Sequence, residues 1–202
     1  MLSNNEKPKG KFINILADGK MRLSVPEGTE GAEKREYETS DGKSGVKHEL
    51  VFTELTGLIT DIKFWEGDYG KLIQVTVVDG EEEPVILSIS ASQNFGEDLM
   101  KKLPNVDLKK EVKLVPFSFE DDKKKKHRGI TIYQSDIKVE NFYRDEDAKK
   151  NINGYPNPKA FKKDEKISKT YWRKFFSEAN EFLIEDTCKR FKIVEDEKSK
   201  DF

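Results

Sequence analysis

The sequence has little of what builds a structural metal centre or a disulfide scaffold. Its 202 residues include one cysteine, Cys188, and two histidines, His48 and His127. A closed zinc site takes four ligands, drawn mainly from these residue types, and a disulfide takes two cysteines. Both kinds of support are therefore excluded.

Long hydrophobic runs are missing as well. No run of 18 or more apolar residues occurs, and residues 1–11 are polar and charged. We therefore expect neither a membrane-spanning helix nor a secretory signal. The sequence predicts a cytoplasmic protein.

Familiar catalytic signatures are absent too. The chain contains no GxxxxGK[ST], GxSxG or HExxH motif. Acidic clusters at residues 81–83 and 145–147 could hold Mg²⁺ in a nuclease, but each lies at an expected turn or strand exit, where solvated acids are ordinary. We expect no enzymatic activity and no cofactor.

Charge is abundant and unevenly distributed. Charged residues make up 38% of the chain and hydrophobic residues 35%, which predicts one modest core with extensions. Residues 1–100 carry 11 basic and 19 acidic side chains, whereas residues 101–133 carry 10 and 5. Because charges act within about 10 Å at moderate salt, this local positive charge allows a polyanion partner despite the total of −2.

The N-terminal part predicts a hairpin and a loop. Two short apolar runs, residues 12–16 and 21–25, flank Asp18-Gly19, which is a strong signal for a tight turn between strands. Residues 26–48 offer almost nothing to bury. We expect a long mobile loop there.

The central part predicts five strands and one helix. Strands are expected at residues 50–65, with a bend at Gly57, and at 72–78, 85–90, 112–119 and 129–139, and a helix at 94–103. A helix between the third and fourth of five strands is typical of an OB-fold barrel. An SH3-like barrel or a curved open sheet would explain the strands but not the helix.

The C-terminal part predicts a long amphipathic helix. Trp172, Phe175, Phe176, Ala179, Phe182 and Leu183 recur at helical spacing within residues 170–191. Homodimerisation through this stripe and packing on the chain's own barrel are both consistent with the pattern. The predicted organisation is a hairpin and loop at 1–48, an OB-fold core at 49–145, a linker at 146–169, a helix at 170–193 and an acidic tail at 194–202.

A lysine run and several aromatic residues favour a nucleic-acid site. Lys123–126 lie in the predicted loop at 121–128, which in an OB-fold flanks the oligonucleotide groove. Aromatic rings can stack on bases, with Trp65 and Tyr133 the preferred candidates. A solvated loop tip and a second small core remain the alternatives. The candidate DNA-binding residues are Trp65, Tyr69, Lys71, Lys113, Phe117, Phe119, Lys123, Lys124, Lys125, Lys126, Arg128 and Tyr133.

The chain end suggests a partner-binding tail. Residues 195–202 combine acidic side chains with a terminal aromatic, and the candidate partner-binding residues are Glu195, Asp196, Glu197, Asp201 and Phe202. A hydrophobic ring on an anionic tether suits a basic, apolar-lined pocket on another protein. An arbitrary chain end is the alternative.

Together, the OB-like core, the basic loop, the C-terminal helix and the Phe-ended acidic tail resemble phage-encoded single-stranded DNA-binding proteins of the T7 helix-destabilising type. The resemblance implies a protein of the host cell cytoplasm that coats single-stranded DNA in replication, recombination and repair. It also implies contacts of the tail with the replicative DNA polymerase and the helicase-primase. An OB-fold adaptor for protein partners and a divalent-metal nuclease are the rival functions.

Overall fold

The computed structural model describes residues 10–39, 42–67, 70–80, 82–159 and 168–193, and this part of the chain is mainly β with one long C-terminal helix, as predicted. The strands are β1 (Lys11–Ile15), β2 (Met21–Val25), β3 (Glu33–Glu38), β4 (Ser44–Phe52), β5 (Leu55–Gly67), β6 (Gly70–Val78), β7 (Val85–Ser90), β8 (Val112–Glu120), β9 (Lys126–Gln134), β10 (Ile137–Lys138), β11 (Arg144–Asp145) and β12 (Lys150–Asn151). The helices are α1 (Asn94–Lys102) and α2 (Lys169–Phe191).

Ten of the described strands form one continuous sheet in the order β10, β9, β8, β5, β6, β7, β1, β2, β4, β3. All neighbours are antiparallel except β1 and β7, which run parallel. β11 and β12 pair separately. The large sheet does not close, so the predicted five-stranded barrel is not confirmed, although β5, β6, β7, α1, β8 and β9 follow one another in the predicted order.

The central meander of β5, β6 and β7 contributes eight of the 23 buried residues of the core cluster, because alternate side chains of each strand point to the same face. Gly57 is needed near the start of β5, since its φ is +147° and an added Cβ would lie 2.5 Å from the carbonyl oxygen of Val78. A register shift follows between Ile59 and Asp61. The single strand expected at residues 50–65 is wrong, because β4 ends at Phe52 and β5 begins at Leu55. β4 pairs with β2 and β3, whereas β5 pairs with β6 and β8.

Helix α1 takes the place where a closed barrel would need another strand beside β9. The carboxylate of Asp98 accepts a hydrogen bond from the backbone N–H of Ile130 at 2.7 Å. The Lys102 ammonium donates to the Ile130 carbonyl oxygen at 2.6 Å and to Asp98 at 2.7 Å. Both backbone groups of Ile130 are thus satisfied by side chains of α1, and β7 pairs with β1 instead of β9.

The N-terminal hairpin is confirmed, with Gly19 in its turn at a φ of +78°. A side chain at position 19 would lie 2.6 Å from the backbone nitrogen of Ser118, so this turn packs directly against β8. The mobile loop expected at residues 26–48 is wrong, because β3 and most of β4 lie within it. Their charges pair with each other: the guanidinium of Arg35 donates to both oxygens of buried Glu49, at 2.7 and 2.8 Å.

The last strand of the central part starts and ends earlier than the predicted 129–139. β9 begins at Lys126, within the loop predicted at 121–128, and it ends at Gln134. Ser135 and Asp136 adopt left-handed backbone conformations, with φ of 50° and 61°, and turn the chain into the short β10. The positive loop is therefore shorter than expected.

Helix α2 is confirmed, and its C-terminal half packs on α1 and on Tyr143. Ala179, Leu183 and Thr187 are buried, and the Tyr143 hydroxyl donates to Asp186 at 2.5 Å. Burial, reinforced by this hydrogen bond, raises the pKa of Tyr143 well above its usual value, so the hydroxyl stays protonated as a donor. Neither helix in the described ranges is long and apolar enough to cross a membrane.

The apolar stripe predicted along α2 changes its role halfway. Its first three members, Trp172, Phe175 and Phe176, form an aromatic cluster with ring centroids 5.5 to 5.8 Å apart. Phe176 is 55% exposed. Only the later members of the stripe join the core.

Candidate nucleic-acid interface

The β8–β9 hairpin brings several of the predicted residues to one face. Its register pairs Lys113 with Tyr133, Val115 with Thr131, Phe117 with Gly129 and Phe119 with His127. The opposite face carries the buried residues Leu114, Ile130 and Ile132. The outer face of the β8–β9 hairpin therefore combines aromatic, cationic and small side chains outside the main core.

Ring contacts organise this outer face. The rings of Phe119 and His127 stack, with centroids 5.1 Å apart and planes at 16°, and Phe117 lies 5.9 Å from Phe119. Phe119 is 56% exposed, so much of its ring remains open to a ligand. At the other end, the Lys113 ammonium lies 5.5 Å from the Tyr133 ring centroid, within cation–π distance. His127 belongs to this face but was not predicted as a site residue, although its even spacing from Tyr133 puts both on one side of an extended strand.

The lysine loop at the tip of the hairpin is held by one carboxylate. Asp121 accepts hydrogen bonds from the backbone N–H groups of Lys123 and Lys125, at 3.0 and 2.8 Å. It also contacts the His127 ring nitrogen at 2.9 Å. This contact with His127, with the backbone donors, holds the pKa of Asp121 below its ordinary value. The carboxylate therefore stays ionised at neutral pH and fixes the shape of the loop.

The four lysines at the tip of the hairpin, three in the loop and Lys126 at the start of β9, remain available to a ligand. Lys123, Lys124, Lys125 and Lys126 are exposed. Among the residues that the structure describes, no carboxylate lies within 4 Å of their ammonium groups. The loop therefore presents ammonium groups that form no described ion pair at the end of the aromatic face, next to the acidic residues at 120–122.

Arg128 does not join this face. It shares the inward side of β9 with Ile130 and lines a cavity of about 440 Å³ beside the start of α1. Its Nε is buried without a hydrogen-bond partner in the described part of the chain. The cavity is lined by Ile15, Leu16, Ala17, Gln93, Asn94, Phe95 and Arg128. The expectation that Arg128 projects from a loop together with the lysines is wrong, because β9 already begins at Lys126.

The candidates on β5 and β6 lie apart from the hairpin. Trp65 is 56% exposed, and it is eight residues beyond Gly57, where β5 meets β8, or roughly 26 Å along the strand. Lys71 points to the opposite face, with its ammonium 5.9 Å from the Phe64 ring centroid. Trp65 and Lys71 therefore lie on opposite faces, and the structure does not place them side by side as a base contact and a phosphate contact.

Other candidate residues fall outside the described ranges. Tyr69 is one of them, and so are the tail residues Glu195, Asp196, Glu197, Asp201 and Phe202. Within the described ranges, no group of three or more His, Cys, Asp and Glu side chains is arranged to hold a metal ion.

Comparison with known proteins adds no relative. No protein-family model, no curated protein and no solved structure matches this chain. The function therefore has to be argued from the residues and their arrangement.

Proposed function

We propose that the protein binds single-stranded DNA with little sequence preference and has no catalytic activity of its own. The observation that carries this proposal is the outer face of the β8–β9 hairpin, where a loop of exposed lysines adjoins a row of rings and a cation–π pair. Positive charge beside stacking surfaces is the combination that binds single strands regardless of sequence.

The electrostatic part of the site is the lysine loop. Each phosphate that a lysine neutralises releases condensed counterions, so affinity depends steeply on salt. The hydrogen bonds that Asp121 accepts from the loop backbone hold the loop in one conformation before a ligand binds, which lowers the entropy lost on binding.

The stacking part runs along the hairpin. Phe119 and His127 lie at one end of the outer face and Tyr133 and Lys113 lie at the other, six residues or roughly 20 Å away. That length corresponds to about six base steps of 3.4 Å, within the 4 to 16 nucleotides that one OB-fold typically covers. The flat π-face of any base can stack there, which explains why the proposed binding has little sequence preference.

The OB-like order of the elements supports the same site. In an OB-fold, the loop between the fourth and fifth strands borders the binding groove, and here β8 and β9 hold the corresponding positions. Trp65 and Lys71 lie near the turn that would border the groove on its other side.

We place the protein in phage DNA replication, recombination and repair, with its tail contacting a replicative polymerase and a helicase-primase. The rival is an OB-fold adaptor whose lysines serve solubility.

A fluorescence titration with dT oligonucleotides at several salt concentrations tests the proposal. We expect single-stranded DNA to bind in preference to duplex. The log–log salt slope should approach about −0.7 for each neutralised phosphate. Binding that does not change with salt would remove the lysine loop from the site and favour the adaptor.

A matched pair of variants locates the site. Lys124→Gln/Lys125→Gln should reduce the magnitude of the salt slope by about 1 to 1.5 and weaken binding at low salt. Lys149→Gln/Lys150→Gln is the control, since it removes the same charge from an exposed turn and from the first residue of β12. Lys149 has a left-handed backbone like that of Lys124, with φ of 51° against 58°. If the control lowers affinity as much as the first variant, only net charge matters and the proposed location is wrong.

A further inference from the structure

A second cavity lies at the other end of the molecule's central sheet, between the inner side of β1, β2 and β4 and the ends of β5, β6 and β7. Its volume is about 470 Å³. We call it the acidic-rimmed groove. Its lining residues are Lys11, Ile13, Leu23, Val25, Leu50, Phe52, Glu54, Leu55, Thr56, Val77, Asp79, Glu82, Glu83 and Val85.

The floor and the rim of this groove differ in character. The floor is apolar: Ile13 and Val77 are buried, while Phe52 is 41% exposed and faces the open space. The rim carries four exposed carboxylates, from Glu54, Asp79, Glu82 and Glu83. The single cation in the lining, Lys11, already pairs with Glu83 at 3.7 Å. A nucleic acid would be repelled here, whereas an apolar group flanked by positive charges would be attracted.

The first turns of α2 present such a group. Lys169, Arg173 and Phe176 follow one another at i, i+4 and i+7, so they lie along one side of the helix. Phe176 is 55% exposed and is supported from behind by the stacked ring of Trp172 at 5.7 Å. Among the described residues, no carboxylate pairs with Lys169 or Arg173. The surface is an exposed aromatic ring with two cations on its N-terminal side, and neither cation pairs with a carboxylate of the described chain.

The helix cannot fill the groove of its own chain. The Asn180 side chain donates to the carbonyl oxygen of Ala91 at 2.7 Å, which fixes α2 at one end of β7. The groove lies at the other end of β7, beside Val85, about six residues or 20 Å away. Phe176 is only one helical turn, about 6 Å, from Asn180. The groove and the anchor of one molecule therefore stay apart.

We propose that the acidic-rimmed groove binds the Lys169–Arg173–Phe176 side of α2 from a second copy of this chain. Phe176 enters the apolar floor, while Lys169 and Arg173 face the carboxylates of the rim. Because each copy has one groove and one helix at different places, the contact is head to tail and can extend from copy to copy. It uses neither the lysine loop nor the outer face of the hairpin.

Sedimentation velocity without DNA tests this proposal separately from DNA binding. The weight-average sedimentation coefficient of the intact protein should rise with protein concentration, because larger assemblies form. Phe176→Ala should raise the dissociation constant for self-association by roughly tenfold or more, as expected for a buried aromatic anchor. Ile137→Ala, at an apolar side chain that is 73% exposed on β10, is the matched control and should leave association unchanged.

Charge reversal identifies the two surfaces. Glu82→Lys/Glu83→Lys and Lys169→Glu/Arg173→Glu should each keep the protein monomeric, and the chain with all four changes should associate again. Glu36→Lys/Glu38→Lys, at exposed positions of β3, is the control for added positive charge. The far-ultraviolet circular dichroism and melting temperature of each variant verify that it is folded.

Three results would overturn the proposal. The first is an intact protein that stays monomeric at millimolar concentration. The second is a groove variant that associates as the intact protein does while Phe176→Ala does not, which would indicate a symmetric helix-to-helix dimer. The third is a variant with all four charge reversals that fails to associate although it is folded.

Discussion

At the scale of single residues, Tyr133 is the sharpest probe of the proposed DNA site. It lies on the outer face of the hairpin, partly exposed, with the Lys113 ammonium over its ring. Replacing Tyr133 by Ala should weaken binding of single-stranded DNA by roughly 1 to 3 kcal/mol, because one stacking surface is lost. The melting temperature should change little, since the buried residues of β9 point the other way.

Tyr133→Phe provides the control for this change, because it keeps the ring and removes only the hydroxyl group. Oligonucleotide titration and thermal melting on the same preparations measure both quantities. If Tyr133→Ala melts far below the parent while its folded fraction binds DNA normally, Tyr133 is a packing residue and stacking has to be assigned to Phe119 and His127.

At the scale of elements, the β2–β4–β3 extension depends on the buried carboxylate of Glu49. Arg35 holds it with two hydrogen bonds, and Arg22 lies 3.5 Å away. The hydrogen bonds from Arg35 lower the pKa of Glu49. A carboxyl whose pKa is lower in the folded than in the unfolded chain stabilises the fold above its unfolded pKa, about 4.3 for Glu, and this stabilisation is lost as pH falls through the folded value.

Glu49→Gln should therefore lower the free energy of unfolding by about 1 to 3 kcal/mol at pH 7, because the amide keeps only one acceptor oxygen for the cationic Arg35 and places an NH2 donor where the second oxygen was. The difference between variant and parent should shrink as the pH is lowered below about 4. Denaturant unfolding at a series of pH values measures this difference in the free energy of unfolding. Glu36→Gln, on exposed β3 next to Lys34, is the control and should have little effect at any pH. A Glu49→Gln difference that does not depend on pH would show that ionisation of Glu49 contributes nothing.

At the scale of the whole molecule, opposite charges are placed at opposite ends of the sheet. The lysine loop is positive, the acidic-rimmed groove is negative, and the C-terminal tail adds further acids. Removing residues 194–202 should strengthen DNA binding modestly, because an anionic segment no longer competes for the lysine loop. Deleting Phe202 alone changes no side-chain charge and should leave DNA affinity nearly intact, while weakening contact with a cognate polymerase or helicase.

Three proteins decide this point: the intact chain, the chain without Phe202 and the chain without residues 194–202. DNA affinity at low salt and association with the replication proteins are measured on each. A truncated chain that binds DNA more weakly than the intact one would show that the tail is not a competitor. Undiminished partner binding without Phe202 would remove the terminal ring from the proposed contact.

Local patterns were sufficient for several elements of this fold. Period-two alternation identified β6, β7 and β8, and apolar spacing with a following proline identified α1. The same alternation put Phe117, Phe119 and Tyr133 on one face, since side chains two residues apart share a face whatever the partners of the strand are. If the predicted strand had begun at Lys126 instead of residue 129, the same alternation would have put Arg128 on the side of Ile130 and Ile132.

The remaining features depend on partners that are distant in the sequence. Residues 33–38 and 44–48 contain too few apolar residues to be recognised as strands, and Glu49 accepts hydrogen bonds there from Arg35 and Arg22 across the sheet. β7 pairs with β1 rather than β9, and the backbone groups of Ile130 on β9 bond instead to Asp98 and Lys102 of α1. The sequence by itself determined where chain segments are extended or helical, since that depends on neighbouring residues. Only the tertiary structure decided which strands meet, which charges are buried and which half of α2 stays exposed, since those outcomes depend on contacts between residues far apart in the chain.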